Sequence, residues 1–404
     1  MGAIIQRNHS MKKRKYKNIK SIFVLLFLSS IPYTVWLLFF LFPQYIKVIS
    51  SGCLWLAIIF SLKNIYIHIN QSRRFIDYMV LCLLLITFLQ FIRFYIWGGV
   101  VNWLTVLTNP IHVLCLMPPI LYYNCQSLQS YKYIYKYSII LIGISILCLH
   151  SNYYLLYLSP IFFYYPLYNK KYRKIIYSII ILSFLLILKD SFIPNQKTGD
   201  TQRALIIISG YAILVFIATK TRKYYKKIAI YTVCISIILP LTLLAYSITT
   251  KISVFTYANE IKNENLGGDT RSFLYTELLN DITKKDKFIE GFGISNGYYS
   301  PYFDNKNRDV NEVSFLHYLL RGGALWIFIY WTVIIYAIIY TIHYSKNYLC
   351  LGGSIILAGY FLASFIIDIN GFNFIHVIIW FFITICSSPQ WTQQSNADIY
   401  KLIK

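Results

Sequence analysis

The sequence predicts an all-α polytopic membrane protein of about twelve transmembrane helices, with one large outer loop that contains an amphipathic helix. Three observations carry this. Only 13% of the 404 residues are charged while 57% are hydrophobic, against roughly a quarter charged in soluble domains. The apolar residues gather in runs near the length that crosses a bilayer, about 20 residues. The basic residues lie scattered between those runs rather than on one soluble face, so the net charge of +23 does not indicate nucleic acid.

Residues 1–20 form a basic N-terminus (Lys12, Lys13, Arg14, Lys15, Lys17, Lys20). The apolar run behind it is too long for a cleaved secretory signal and lacks a small-residue cleavage site, so it reads as a signal anchor. Met1 and Met11 are both plausible starts. Residues 21–248 are expected to hold nine spans, at 21–42, 48–63, 75–96, 103–122, 137–150, 153–168, 175–189, 204–219 and 228–248. The sixth carries Pro160 and Pro166, and either it or the fifth could be re-entrant. Residues 249–313 form the outer loop, and the last three spans (315–342, 352–368 and 373–387) fill 314–387. A cytoplasmic C-terminus, 388–404, ends the chain.

Orientation follows from charge, because Lys and Arg in short loops resist translocation. With the N-terminus inside, 24 of the 38 basic residues fall in cytoplasmic turns and termini. Of the 15 acidic residues, 13 fall on the other side or at its boundary, Asp77 and Asp398 being the exceptions. Both distributions fit an even number of spans with both termini in the cytoplasm.

Several function classes lose support. No two matched halves are visible, which counts against a carrier. The eight cysteines show no CxxC and no His/Cys cluster at metal spacing, so they read as reduced, buried fillers. No Walker A or dinucleotide fingerprint occurs. No metal, cofactor or nucleotide is expected.

The outer loop holds 10 of the 15 acidic residues. Its segment GGDTRSFLYTELLNDITKKDKF (267–288) repeats Phe273, Leu274, Leu278 and Ile282 at helical spacing, with Tyr275 and Leu279 beside them, the pattern of a helix lying on the membrane surface. Asp269 or Thr270 is the expected N-cap. Arg271 then falls in the first turn, where the helix dipole disfavours a cation, and the placement makes sense if an anion binds there. Free backbone N–H groups beside a guanidinium suit a phosphate or diphosphate. The plainer alternative is a surface arginine pairing with Asp269 or Glu277. Arg203, at the outer mouth of the eighth span, invites the same anion reading, with snorkelling to the headgroups as its alternative. Arg93 and Arg321 lie deeper, where an ionisable group suggests a polar cavity, with snorkelling as the alternative for Arg93.

The stretch EGFGISNGYYSPYFDNKNRDVNEVSFLHYLLRGGALWIF (290–328) combines turn-forming glycines with Tyr298, Tyr299, Tyr302 and Phe303. Flat rings beside Asn and Asp side chains suit a carbohydrate, although interfacial tyrosine belts use the same residues. Asp309, Asn311 and Glu312 lead into the tenth span. Glu312 is either a carboxylate that accepts a proton from an attacking hydroxyl or an acid favoured at a helix start. His317 is the alternative base, or a structural hydrogen-bonder.

Taken together, Arg203 before an apolar span, the GDTR segment, the FIEGFGISNGYY turn and NEVSFLHYLLRGGALW resemble the Wzy-type O-antigen polymerase and O-antigen ligase superfamily over roughly the C-terminal half. The first 190 residues match only as a helical bundle. The resemblance implies a GT-C-like, metal-independent glycosyltransferase on the periplasmic face of a bacterial inner membrane. Donor and acceptor would be oligosaccharides on undecaprenyl diphosphate, with the bilayer and a chain-length regulator protein as further partners. Arg203 and Arg271 match the family's arginine positions and, with Thr270, would cradle the diphosphate. Glu312 would act with them in catalysis. Asp269, Tyr298, Tyr299, Asp309, Asn311 and His317 are the implied glycan contacts. Ligases typically read His-Asn where this chain has Glu312-Val313, which favours a polymerase and leaves the base open among Glu312, Asp309 and Asp269. A ligase acting on lipid A core, a twelve-span polysaccharide flippase and a membrane scaffold are the rivals.

Overall fold

The computed structural model describes residues 18–34, 43–69, 74–97, 103–109, 111–147, 224–250, 272–303, 306–365 and 371–403, with isolated positions between 174 and 213. The expected spans at 153–168, 175–189 and 204–219 lie outside the continuously described stretches. In chain order the helices are α1 (Ile19–Thr34), α2 (Pro43–Ile69), α3 (Phe75–Trp97), α4 (Trp103–Thr108), α5 (Leu121–Cys125), α6 (Leu128–Leu147), α7 (Tyr225–Thr250) and α8 (Ser272–Lys284). After them come strands β1 (Tyr298–Ser300) and β2 (Lys306–Arg308), then α9 (Ser314–Tyr344), α10 (Tyr348–Ala363), α11 (Phe374–Ser387), α12 (Pro389–Thr392) and α13 (Asn396–Ile403). The protein is mainly helical, and three helices among the described residues are long and apolar enough to cross a membrane, within α2, α3 and α9. Shorter apolar helices stand at α1, α10 and α11.

The core forms around α11, whose sequence FIHVIIWFFITICS has no polar face. A helix apolar all round must be enclosed, and every residue of α11 is buried. Helices α9 and α10 pack on it and on each other, and α3 packs along α9. Gly353 lets α10 come close: a Cβ there would meet the Phe382 ring at 2.7 Å, the small-residue device by which apolar helices approach. Asn373 opens α11 by accepting a hydrogen bond from the Ile375 N–H at 2.9 Å.

The expected fourth span, 103–122, is not one helix. Two short 3-10 turns, Val113–Leu116 and Pro118–Ile120, separate α4 from α5, because Pro118 and Pro119 supply no N–H donors for a continuous helix. Backbone freed in this way is tolerated inside an apolar bundle only when partnered. Trp55 Nε1 donates to Leu107 O (2.9 Å), Ser51 to Thr108 O, His317 Nε2 to Ile111 O (2.9 Å) and Thr87 Oγ1 to Leu116 O (3.1 Å). Two other elements differ from expectation. Helix α6 starts at Leu128, nine residues before the expected fifth span, and α9 is broken at Gly323 (φ 76°, ψ 176°). Among the described residues seven cysteines are free, of which Cys115, Cys125, Cys350 and Cys386 are buried as expected, whereas Cys53 is half-buried and Cys82 and Cys234 are exposed.

At the start of α3 a buried carboxylate ties the bundle together. Asp77 Oδ1 accepts from His68 Nε2 (3.0 Å), Arg74 Nη2 (3.0 Å) and the Tyr122 hydroxyl (2.6 Å), and its Oδ2 accepts from Arg74 N (2.9 Å) and Nε (3.2 Å). Arg74 also reaches Ser387 O at 3.3 Å, so one acid joins α2, α3, α5 and α11. Asp77→Ala removes the carboxylate that the Arg74 guanidinium and the His68 imidazole share. Breaking a buried pair from one side is costly, and the expected loss is about 3 kcal/mol, read as a fall in the thermal midpoint of the detergent-purified protein.

Candidate functional site

The candidate site is a cap formed by residues 272–313 and the mouth of α9. Its first element, α8, has the predicted amphipathic pattern, with Leu274, Leu278 and Ile282 fully buried. The expected membrane-surface role is corrected, because this stripe is packed inside the protein, against β1 and α9. The tip is fastened by Tyr275, whose hydroxyl donates to Phe365 O at 2.7 Å. The polar face of α8 holds the hairpin. Glu277 accepts from Ser300 Oγ (2.6 Å) and Tyr302 N (2.9 Å), while Asp281 accepts from Tyr299 N (2.9 Å). Strands β1 and β2 pair antiparallel, Tyr298 opposite Arg308 and Ser300 opposite Lys306.

The segment after α8 is fitted into the break in α9. Phe292 N donates to Leu320 O (2.7 Å), Ala324 N to Phe288 O (2.9 Å) and Leu325 N to Ile289 O (3.3 Å). The loop thus supplies partners that helical backbone around residue 323 would otherwise find within the helix. Both chains need glycine at the contact. A Cβ on Gly291 (φ +73°) would lie 2.7 Å from Gly323 N, and one on Gly323 would overlap Ile289 O and lie 2.5 Å from Gly291 N.

Beside this contact Arg321 is fully buried. Its Nη1 donates to Gly293 O (3.1 Å), Ile294 O (2.6 Å) and Asn296 O (3.1 Å), and its Nη2 donates to Asp309 O. The guanidinium, which sequence reasoning associated with a polar cavity, is filled by loop carbonyls. Arg93 does related work from α3, donating to Gly291 O at 3.1 Å and pairing with Glu290 at 3.1 Å. The Lys287 ammonium, together with Arg93, holds the Glu290 carboxyl below the usual range.

The predicted glycan contacts separate into two groups. Tyr298, Asn311 and His317 are buried and present no face to a glycan, which corrects their assignment. Asn311 N donates to His317 Nδ1 (3.4 Å) and its Nδ2 to the Tyr298 hydroxyl (3.5 Å). Because His317 Nδ1 accepts, Nε2 carries the proton donated to Ile111 O, so this imidazole has both nitrogens engaged and is no free base. Burial pushes the Tyr298 hydroxyl up to about 12, and it stays a neutral partner. Tyr299, Asp309 and Glu312 form the second group and are exposed. Arg308 Nη2 stands 3.3 Å from Glu312 Oε1, its guanidinium lying over the Phe303 ring at 3.7 Å. Arg203, Asp269, Thr270 and Arg271 lie outside the described residues.

Two site residues were not singled out by sequence. His112 donates Nδ1–H toward Ile294 O (3.0 Å) and places Nε2 3.6 Å from Asp309 Oδ2, a contact across nearly two hundred positions that no spacing rule could disclose. Gln90 has a visible signal, since it precedes Arg93 by one helical turn in an otherwise apolar run. The two line an open cleft with Phe94, Phe292, Ser295 and Asn296.

What these elements define is a helical protein with membrane-length helices and a folded cap locked onto the break in one of them. No protein-family model, curated protein or solved structure matches the chain.

Proposed function

We propose that the protein is a polysaccharide polymerase of a bacterial inner membrane, with about twelve spans and both termini cytoplasmic. It joins undecaprenyl-diphosphate-linked oligosaccharide repeat units on the periplasmic side, by metal-independent glycosyl transfer in O-antigen or capsule synthesis. The observation that carries the reading is the cap. A lipid-linked glycan keeps its lipid in the bilayer and its sugars in water, so a transferase for it needs a polar platform at a helix mouth, a part that residues 272–303 and 306–313 suit, with Asp309, Glu312 and Tyr299 exposed on them.

The chemistry asks two things of that platform. The acceptor hydroxyl loses its proton as its oxygen bonds to the donor's anomeric carbon, and an exposed carboxylate can take it. Glu312 beside Arg308 and Asp309 beside His112 are the candidates among the described residues, and Asp269 is the third. As the anomeric carbon–oxygen bond to the diphosphate breaks, the departing anion needs cations, the role assigned to Arg203 and Arg271 with Thr270.

The test is gel analysis of surface polysaccharide from a deletion strain complemented with wild type, Arg203→Ala, Arg271→Ala, Glu312→Gln or Asp309→Asn, each checked for expression. Deletion is expected to collapse long chains to single repeat units, and each arginine variant to lower polymer yield by about 100-fold or more, the scale of losing one charge-stabilising donor. Full-length polymer accumulating on undecaprenyl diphosphate would instead identify a ligase. Single units trapped on the cytoplasmic face would identify a flippase.

A further inference from the structure

We propose that the cleft between α3 and the Gly293–Asn296 turn is a saccharide subsite, one that takes a hydroxyl-bearing sugar ring of the glycan chain; the identity of that glycan rests on the polymerase reading. The key atom is Gln90 Oε1. Gln90 is 5% exposed, and its Nε2 donates to Glu290 O at 2.6 Å. That bond fixes the amide orientation, because the opposite flip would set two acceptor oxygens against each other. Oε1 must therefore be the free end. Among the described residues it is a buried acceptor with no donor. A buried acceptor of this kind carries a free-energy cost until a donor arrives, and a sugar hydroxyl is such a donor.

The surroundings specify the ligand further. Phe94 and Phe292 supply apolar surface, while Ser295 and Asn296 supply polar groups on the turn. A pyranose has the matching duality, C–H faces and a rim of hydroxyls. The guanidinium of Arg93 is already committed to Glu290 and to the Glu290 and Gly291 carbonyls, so the cleft has little unspent charge for an anion, which favours a neutral ring over a phosphate. Gly293 borders this acceptor: its φ of +86° suits glycine, and a Cβ there would stand in ordinary contact with Gln90 Oε1, at 3.5 Å.

The test uses full-length protein in nanodiscs carrying Ser295→Cys, alkylated with a charged maleimide and read by mass spectrometry of the peptide containing position 295. The probe is the repeat-unit oligosaccharide released by mild acid from the host strain's own lipid-linked pool, with glycerol at equal concentration as control. The oligosaccharide is expected to slow alkylation at least about fivefold and glycerol not at all. Adding Gln90→Leu is expected to weaken that protection by about fivefold to tenfold, the loss of one hydrogen bond. Should Gln90→Leu misfold, saturation-transfer NMR replaces it. The signal seen with unalkylated protein is expected to vanish once position 295 carries the adduct. Equal protection by glycerol, or none by the oligosaccharide, overturns the subsite. The released glycan lacks lipid and diphosphate, so the two readings fail separately. Protection without a chain-length defect on deletion upholds the subsite and sinks the polymerase; the defect without protection does the reverse.

Discussion

Gly323→Ala is expected to remove most folded protein, with a loss of about 3–5 kcal/mol from backbone strain and steric overlap together. At φ 76° and ψ 176° the residue occupies a region that side-chain-bearing residues scarcely enter. An added methyl would also overlap Ile289 O and lie 2.5 Å from both Glu290 C and Gly291 N. These are backbone atoms, held by the Ala324 N to Phe288 O and Leu325 N to Ile289 O bonds, so the clash cannot be relieved by turning a side chain. The comparison is Gly359→Ala in α10, where nothing lies within 4 Å of the new carbon. That change is expected to be neutral, or to stabilise by up to about 1 kcal/mol through better helix propensity. Thermal midpoints of the two variants in the same detergent check the contrast. A Gly323→Ala protein as stable as wild type would show that the loop does not lie in the helix break.

Arg321→Met should be nearly as damaging, but in a way that exposes one segment. The substitution keeps much of the apolar stem and removes the donors that bind the Gly293, Ile294, Asn296 and Asp309 carbonyls. Those carbonyls lie in the cap, so the cap should lift from α9 at an expected cost of about 3–5 kcal/mol. Arg321→Lys is expected to recover only part of it, because a single ammonium cannot reproduce the fork that serves both sides of the loop. Limited trypsin digestion reads the effect directly. Cleavage after Lys306 and Arg308 should accelerate strongly in Arg321→Met and moderately in Arg321→Lys. Unchanged cleavage would mean that the cap is held by other contacts.

The contrast between two parts of the chain shows how far pattern reading reaches. The stripe of Leu274, Leu278 and Ile282 was readable because a helix repeats every 3.6 residues and burial follows that repeat. What the stripe packs against was not readable, since a bilayer surface and the protein's own hairpin select for the same residues. Likewise Glu277 and Asp281 had the spacing of a solvated face, yet they accept hydrogen bonds from Ser300, Tyr302 and Tyr299. Acids at such positions look alike in sequence whether they meet water or a backbone N–H.

By itself the sequence determined that this is a helical protein with membrane-length apolar helices, where its last apolar span runs (373–387, against Phe374–Ser387 in the structure), and that an amphipathic helix lies within residues 267–288. Each of these follows from local composition and period, which neighbours in space do not alter. Tertiary structure alone decided that Arg321 is sealed by carbonyls rather than open to a cavity, and that His112 meets Asp309. It also decided that Tyr298, Asn311 and His317 are buried while Gln90 keeps one acceptor unpartnered. Those outcomes depend on which distant backbone group supplies or lacks a hydrogen-bond partner, and that balance is settled only when the segments come together.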